Sequence, residues 1–136
     1  MPVLDRLTDA DGVFASPRYA HATVVTGRLA FVSGQVAMDA EGRLVGEGDL
    51  AAQTTQALRN LHGVLRALGA DWTDVVRFTW YLTDVSRIDE LRGALEAEVG
   101  PAFAAGPRPA STLLGVAALF QPGFLMEVDA VVALPD

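Results

Sequence analysis

The spacing of apolar residues switches period repeatedly in the second half of this chain, and that switching constrains the fold more than any other feature. Between residues 49 and 69 the apolar positions Leu50, Ala57, Leu58, Leu61, Val64, Leu65 and Leu68 recur at three- and four-residue steps, the repeat of a helix with one buried stripe. Asp49 suits its N-cap and Gly69 its left-handed C′ position. Residues 75–82 then alternate, with Val76, Phe78, Trp80 and Leu82 on one face and Val75, Arg77, Thr79 and Tyr81 on the other, as a strand requires. A helical period returns at Ile88, Leu91, Leu95 and Val99, behind a Ser86-x-x-Asp89 capping pattern and ahead of the stop at Gly100-Pro101. Residues 125–134 alternate again, setting Met126, Val128, Ala130, Val132 and Leu134 opposite Leu125, Glu127, Asp129, Val131 and Ala133.

The remaining segments complete the pattern. "HATVVTGRLAFV", residues 21–32, reads as two β-rich arms around a turn at Gly27-Arg28. The glycine-rich "SGQVAMDAEGRLVGEGD" after it reads as a loop with one short extended piece. Pro101, Pro107 and Pro109 constrain a connection that delivers the chain to a strand beginning near Ser111. The resulting ββαβαββ order fits an α+β sandwich with both helices on one sheet face, and 136 residues fit one domain, 1–136. Val75, Tyr81, Leu125 and Val131 would then be left on the uncovered face beside Arg77, Glu127 and Asp129. With 51% hydrophobic residues and a mean hydropathy of +0.29, the expected cover is other copies of the chain.

Charge and composition narrow the function classes. A net charge of −7 and a pI near 4.6 disfavour a nucleic-acid or anionic-membrane partner, since the positive residues are all arginine and are scattered singly. Without cysteine there is neither a disulfide nor a thiolate site. The acidic start lacks the apolar core of a signal peptide, and the most apolar stretch, residues 113–134, carries Glu127 and Asp129 and a Gln121-Pro122-Gly123 break. A cytoplasmic setting is the expectation. His21 and His62 have no companions at ligand spacing, and no phosphate-binding or serine-hydrolase motif occurs. No metal or cofactor is expected.

The order "YAHATVVTGRLAFVSGQVAMD", "VVRFTWYLTDVSRIDELR", "RPAST" and "MEVDAV" resembles the Rid superfamily of reactive intermediate deaminases, the YjgF-like proteins, over residues 19–133. The resemblance implies the chorismate-mutase-like fold with a mixed sheet, a homotrimer around a central barrel, and small-molecule clefts at the subunit interfaces. For the best-known branch it implies hydrolysis of enamines and imines such as 2-aminoacrylate to a keto acid and ammonia. Glu127 then matches the residue that positions the attacking water, Tyr19 a cleft tyrosine, and Ser33 and Gly34 the loop whose backbone lines the pocket; Thr112 follows the substrate-binding position.

The resemblance breaks at that position, where the family's carboxylate-gripping arginine is replaced by Ser111. A hydroxyl in place of a two-pronged guanidinium loses about 1.5 to 3 kcal/mol of anion binding. Three readings follow. In the first, a homotrimer binds a small molecule other than the usual amino-acid-derived imine, with Glu127 and water as the candidate hydrolytic pair. In the second, Arg108 or Arg92 replaces the missing guanidinium, although three extended residues offset the backbone of Arg108 by about 10 Å. In the third, the chain is a non-enzymatic ligand-binding module. Each residue also has a plainer role open to it: Glu127 and Asp129 pairing with Arg77, Arg92 as an exposed helix arginine, Tyr19 as a strand-edge aromatic and Gly34 as a turn glycine.

Overall fold

In the computed structural model, which describes residues 2–136, eight regular elements carry the chain. They are β1 (Val3–Leu7), β2 (Ala22–Val25), β3 (Leu29–Gln35), α1 (Leu50–Ala67), β4 (Val75–Leu82), α2 (Ile88–Glu98), β5 (Ala110–Gly115) and β6 (Met126–Ala133). Four strands form a mixed sheet in the order β3-β6-β4-β5, antiparallel except for the parallel β4–β5 pair. β1 and β2 form a separate antiparallel ribbon. The α+β sandwich expected from the sequence is therefore present, with one strand more than expected, β1.

The turn at Gly27 forms with φ +88°, a conformation that glycine adopts without steric cost. Its two arms nevertheless go to different sheets, so they are not the paired hairpin that the sequence suggests. β2 takes β1 as its partner and is latched to the start of the main sheet by Thr23. The Thr23 hydroxyl donates to the Val76 carbonyl at 2.8 Å and accepts from the Ala110 amide at 3.2 Å.

Alternation in the central strands decides what is buried. Phe78, Trp80 and Leu82 of β4, with Met126, Val128, Ala130 and Val132 of β6, pack beneath the helices together with Leu58, Leu61 and Leu65 of α1 and Leu91 of α2. At the start of β4 the pairing with β6 slips between Val75 and Arg77. That irregularity turns Val75 into the core, fully buried, and leaves Val76 half-buried, the reverse of strict alternation.

The caps show a similar mixture. Asp49 accepts the Ala52 amide at 3.0 Å and Gly69 follows the helix with φ +73°, as the sequence indicates. Ser86 does not cap α2. Asp84 instead accepts both the amide and the hydroxyl of Ser86, at 3.1 and 2.6 Å, and starts a 3₁₀ turn (Val85–Arg87) that runs into the helix. Among the described residues no helix is long and apolar enough to cross a membrane.

One polar side chain inside α1 ties the distant loops together. Gln53 is fully buried; its amide nitrogen donates to the Gly46 and Gly123 carbonyls at 3.1 and 2.9 Å, and its oxygen accepts the Leu125 amide at 2.8 Å. Gln53→Leu strands these backbone groups and is expected to lower unfolding stability by roughly 2–4 kcal/mol. Denaturant titration checks this, and an unchanged midpoint would show that the loops hold without it.

Candidate functional site: an arginine-lined cleft and a carboxylate face

The parallel register sets Phe78 opposite Ser111 and Trp80 opposite Leu113. Ser111 therefore lies on the helix-covered side of β5, where its hydroxyl accepts the buried Trp80 indole N–H at 3.0 Å. The ribbon brings a second wall. The Ala20 amide donates to the Pro109 carbonyl at 3.1 Å, which fixes Arg18 and Tyr19, just before it, at the lip of a cleft between α2 and β5. From α2, Leu91 and Leu95 line the interior, while Arg92 and Glu96, also one helical turn apart, line the same cleft. Its middle section opens to solvent.

Arg108 enters this cleft beside Ser111. Its two terminal nitrogens grip Glu96, Nη1 to Oε1 at 2.7 Å and Nη2 to Oε2 at 2.8 Å, and the side chain is 19% exposed. The fork-to-fork pair explains how the backbone offset is overcome: a carboxylate on α2 draws the long side chain back across the cleft. Arg92 sits 3.7 Å from the exposed Asp89. Arg18, which the sequence reading passes over, lines the cleft through its whole depth and has no carboxylate within ion-pair distance among the described residues. Its only signal in the sequence is its place directly before Tyr19. The expectation that the pocket has exchanged its cation for a neutral alcohol is thus corrected. Three guanidinium groups, balanced inside the cleft by Glu96 alone, surround the position of Ser111.

The other candidates lie on the opposite face of the sheet. Glu127 pairs across from Tyr81, and Asp129 from Thr79. Burial, and after it the neighbouring Asp129 charge, push the Glu127 carboxyl above its ordinary value. Asp129 accepts the Tyr81 hydroxyl at 2.8 Å; that hydrogen bond first, then burial, raise the Tyr81 phenol. Neither carboxylate forms an ion pair with Arg77, so the cross-sheet pairing left open by the sequence is not made.

Gly34 explains the shape of this second group. The β3–β6 register slips between Val32 and Gln35, and Ser33 and Gly34 lie exposed in the irregularity. A Cβ on Gly34 would fall 2.6 Å from the Glu127 carboxyl carbon, so any larger residue there would push the Glu127 carboxylate out of its present position. Thr112, opposite Thr79 on the edge strand β5, is exposed on this same open face. The chain thus gathers Tyr19, Arg92, Arg108 and Ser111 in the cleft and holds Glu127, Gly34 and Thr112 on the sheet's other side.

With this geometry in hand, the comparisons with known proteins settle the family. The Endoribonuclease L-PSP family model, which covers the Rid, YjgF and RutC proteins, matches residues 11–134. The chain belongs to this family. It is 36% identical over 114 residues to the rat 2-iminobutanoate/2-iminopropanoate deaminase, covering 83% of this chain and 77% of that protein. It is 33% identical over 124 residues to the Escherichia coli RutC family protein YjgH, covering 91% and 88%. Among solved structures, the Rid family protein YyfB of Yersinia pestis superposes with a TM-score of 0.82 at 36% identity, covering 95% of this chain and 98% of that one. The α+β sandwich with its mixed sheet is the fold of these Rid family structures.

The like-charged pair in this Rid family chain makes a direct prediction. Asp129→Asn removes one of the two causes that raise Glu127, so the Glu127 carboxyl should titrate at lower pH than in the parent protein while remaining above an exposed glutamate, because its burial persists. Carboxyl-carbon chemical shifts followed through a pH titration measure both. An upward shift in the variant would mean that Asp129 stabilises the ionised form.

Proposed function

We propose that the protein takes a small carboxylate-bearing imine or enamine into the arginine-lined cleft and hydrolyses it to the keto compound and ammonia, in a site completed by a neighbouring copy within a homotrimer. The observation that carries this reading is the clustering of Arg18, Arg92 and Arg108 around Ser111 with Glu96 as the one carboxylate lining the cleft. Such a cleft has net positive charge inside a chain whose net charge is −7, which concentrates a small anion where the rest of the surface repels it. The deaminase name of the rat relative supports the same substrate class.

The chemistry needs only water. The water oxygen adds to the imine carbon as Glu127, ionised, takes one of its protons; the nitrogen is protonated, the C–N bond breaks, and ammonia departs as the carbonyl forms. A carboxylate with a raised proton affinity suits that transfer. Glu127 and Ser111 occupy opposite faces of one sheet, so a substrate beside Ser111 cannot meet Glu127 of its own protomer. This separation supports a cleft closed by the Glu127 of an adjacent copy. The exposed aromatic and aliphatic groups on the open face, Phe31 at 77% and Leu29 at 42%, give such copies an apolar surface to bury.

A second reading, ligand binding without turnover, is favoured by the one fact that Arg108 is already clasped by Glu96. Activity on 2-iminopropanoate generated in place separates the two. Arg108→Ala is expected to raise KM about 10- to 100-fold, as loss of a charge-assisted contact does, and Glu127→Gln to lower kcat by about 10²- to 10⁴-fold. At substrate concentrations well below the raised KM, mixed trimers of these two variants should be more active than either variant alone, because some interfaces then unite an intact Arg108 with an intact Glu127. An assembled protein that binds 2-oxobutanoate but leaves the imine intact would establish the binding reading, and mixed trimers no more active than the variants would refute a shared site.

A further inference from the structure

Arg108 is held at both ends, and the two restraints come from different parts of the chain. Its backbone lies between Pro107 and Pro109, whose rings fix their own φ and keep the residue between them extended. The Pro109 carbonyl accepts the Ala20 amide at 3.1 Å, so the root of the side chain is tied to the ribbon. Its tip meets one carboxylate among the described residues, Glu96, with Nη1 to Oε1 at 2.7 Å and Nη2 to Oε2 at 2.8 Å. The Nε–H and the remaining Nη–H groups make no hydrogen bond among the described residues. They are the donors left for a ligand.

Glu96 can affect an anion in this cleft in two opposed ways. As a bare counter-charge it weakens the pull on the anion. As an anchor it strengthens binding, because it spares the anion the cost of ordering a long arginine side chain. The surroundings decide for the anchor. Arg18 and Arg92 line the same cleft, so a guanidinium released from Glu96 stands among like charges and is driven outward, away from Ser111. The neighbouring wall offers nothing to keep it: Leu91, Leu95 and Leu113 are apolar, and the Ser111 hydroxyl is taken up by the Trp80 indole N–H. Glu96 is 56% exposed, against 19% for Arg108, so replacing its carboxylate changes the position of Arg108 rather than the folding of the chain.

We infer that Glu96 is a positioning residue, which holds the Arg108 guanidinium inside the cleft so that its free donors meet an incoming carboxylate. The inference rests on the cleft being the carboxylate site, and its test reads binding, so the hydrolytic reading can fail while this one stands.

The full-length parent, Glu96→Gln, Arg108→Ala and the double variant are titrated with 2-oxobutanoate at about 0.5 M salt, where screening confines charge effects to about 4 Å. Glu96→Gln should raise Kd about 3- to 10-fold in the parent, the cost of ordering one long side chain on binding. In the Arg108→Ala background the same change should leave Kd within about twofold, since a residue that acts through Arg108 has nothing to act on once Arg108 is gone. A rise in both backgrounds would show that Glu96 works independently of Arg108, and an unchanged or lowered Kd in the parent would make it a counter-charge only; either overturns the inference. If Arg108→Ala binds too weakly to titrate, crystal structures decide: a guanidinium turned away from Ser111 in Glu96→Gln sustains the inference, and one still beside Ser111 overturns it. A parent that hydrolyses the imine without holding 2-oxobutanoate is read by KM in the same scheme, and a parent that does neither overturns the inference together with the carboxylate site.

Discussion

Everything at the candidate site follows from the pleat of β4 and β6, the two strands in the middle of the sheet. A strand presents successive side chains to opposite faces, so burying Trp80 and Val128 under the helices obliges Tyr81, Glu127 and Asp129 to face the other way. The parallel β5 inherits the same constraint through its register with β4. Ser111 goes under with Phe78, while Thr112 comes out with Thr79. A one-residue slip of β5 would exchange these two hydroxyl side chains and present Thr112, not Ser111, to the indole of Trp80. The Trp80–Ser111 hydrogen bond opposes that slip, because it satisfies a buried donor that has no other partner among the described residues.

The same reasoning explains which parts of the molecule were legible in the sequence. Helix α1 and strands β4 and β6 follow from periodicity because a long, regular pattern is hard to satisfy in any other way. Positions where the backbone departs from regularity were not legible. The slip at the start of β4 inverts Val75 and Val76, and it accommodates the Thr23 hydroxyl on the Val76 carbonyl, a contact across fifty-three residues that no local pattern announces. β1 escaped for a related reason: a short ribbon with exposed Leu4 and Leu7 has no buried face to print a clear alternation on the sequence.

The site was half legible. The motif resemblance singled out Tyr19 and Ser111, which the structure brings to one cleft, and Glu127, which lies on the other face of the sheet. It could not foresee that Arg108 would be pulled into the cleft by Glu96, since that depends on the relative placement of α2 and the proline-rich connection. A linear estimate of anchor displacement treats the side chain as short and unguided. A guanidinium at the end of a flexible stem, with a carboxylate to meet it, is neither.

The clasp between Arg108 and Glu96 divides the labour among the three guanidinium groups. A guanidinium has five N–H donors, and two directed at Glu96 leave others for a ligand, so the pair can orient an incoming carboxylate while contributing little net field. Its partial burial limits how far Arg108 can swing. The tight packing is local: a Cβ at Gly100 would lie 2.9 Å from Glu96 Oε2 and 3.6 Å from Arg108 Nη2, so the chain passes close over the clasp where a larger residue would press on it. The long-range attraction therefore falls to Arg18, exposed and unmatched by any carboxylate at ion-pair distance among the described residues. Such a cleft separates capture from orientation: an exposed cation draws the anion in, and a rigid, internally neutralised one sets its angle. A single arginine at the position of Ser111 would have to perform both tasks from one anchor. Distributing them over two anchors leaves the floor of the cleft to Trp80 and its buried aromatic neighbours, which stay packed in the core.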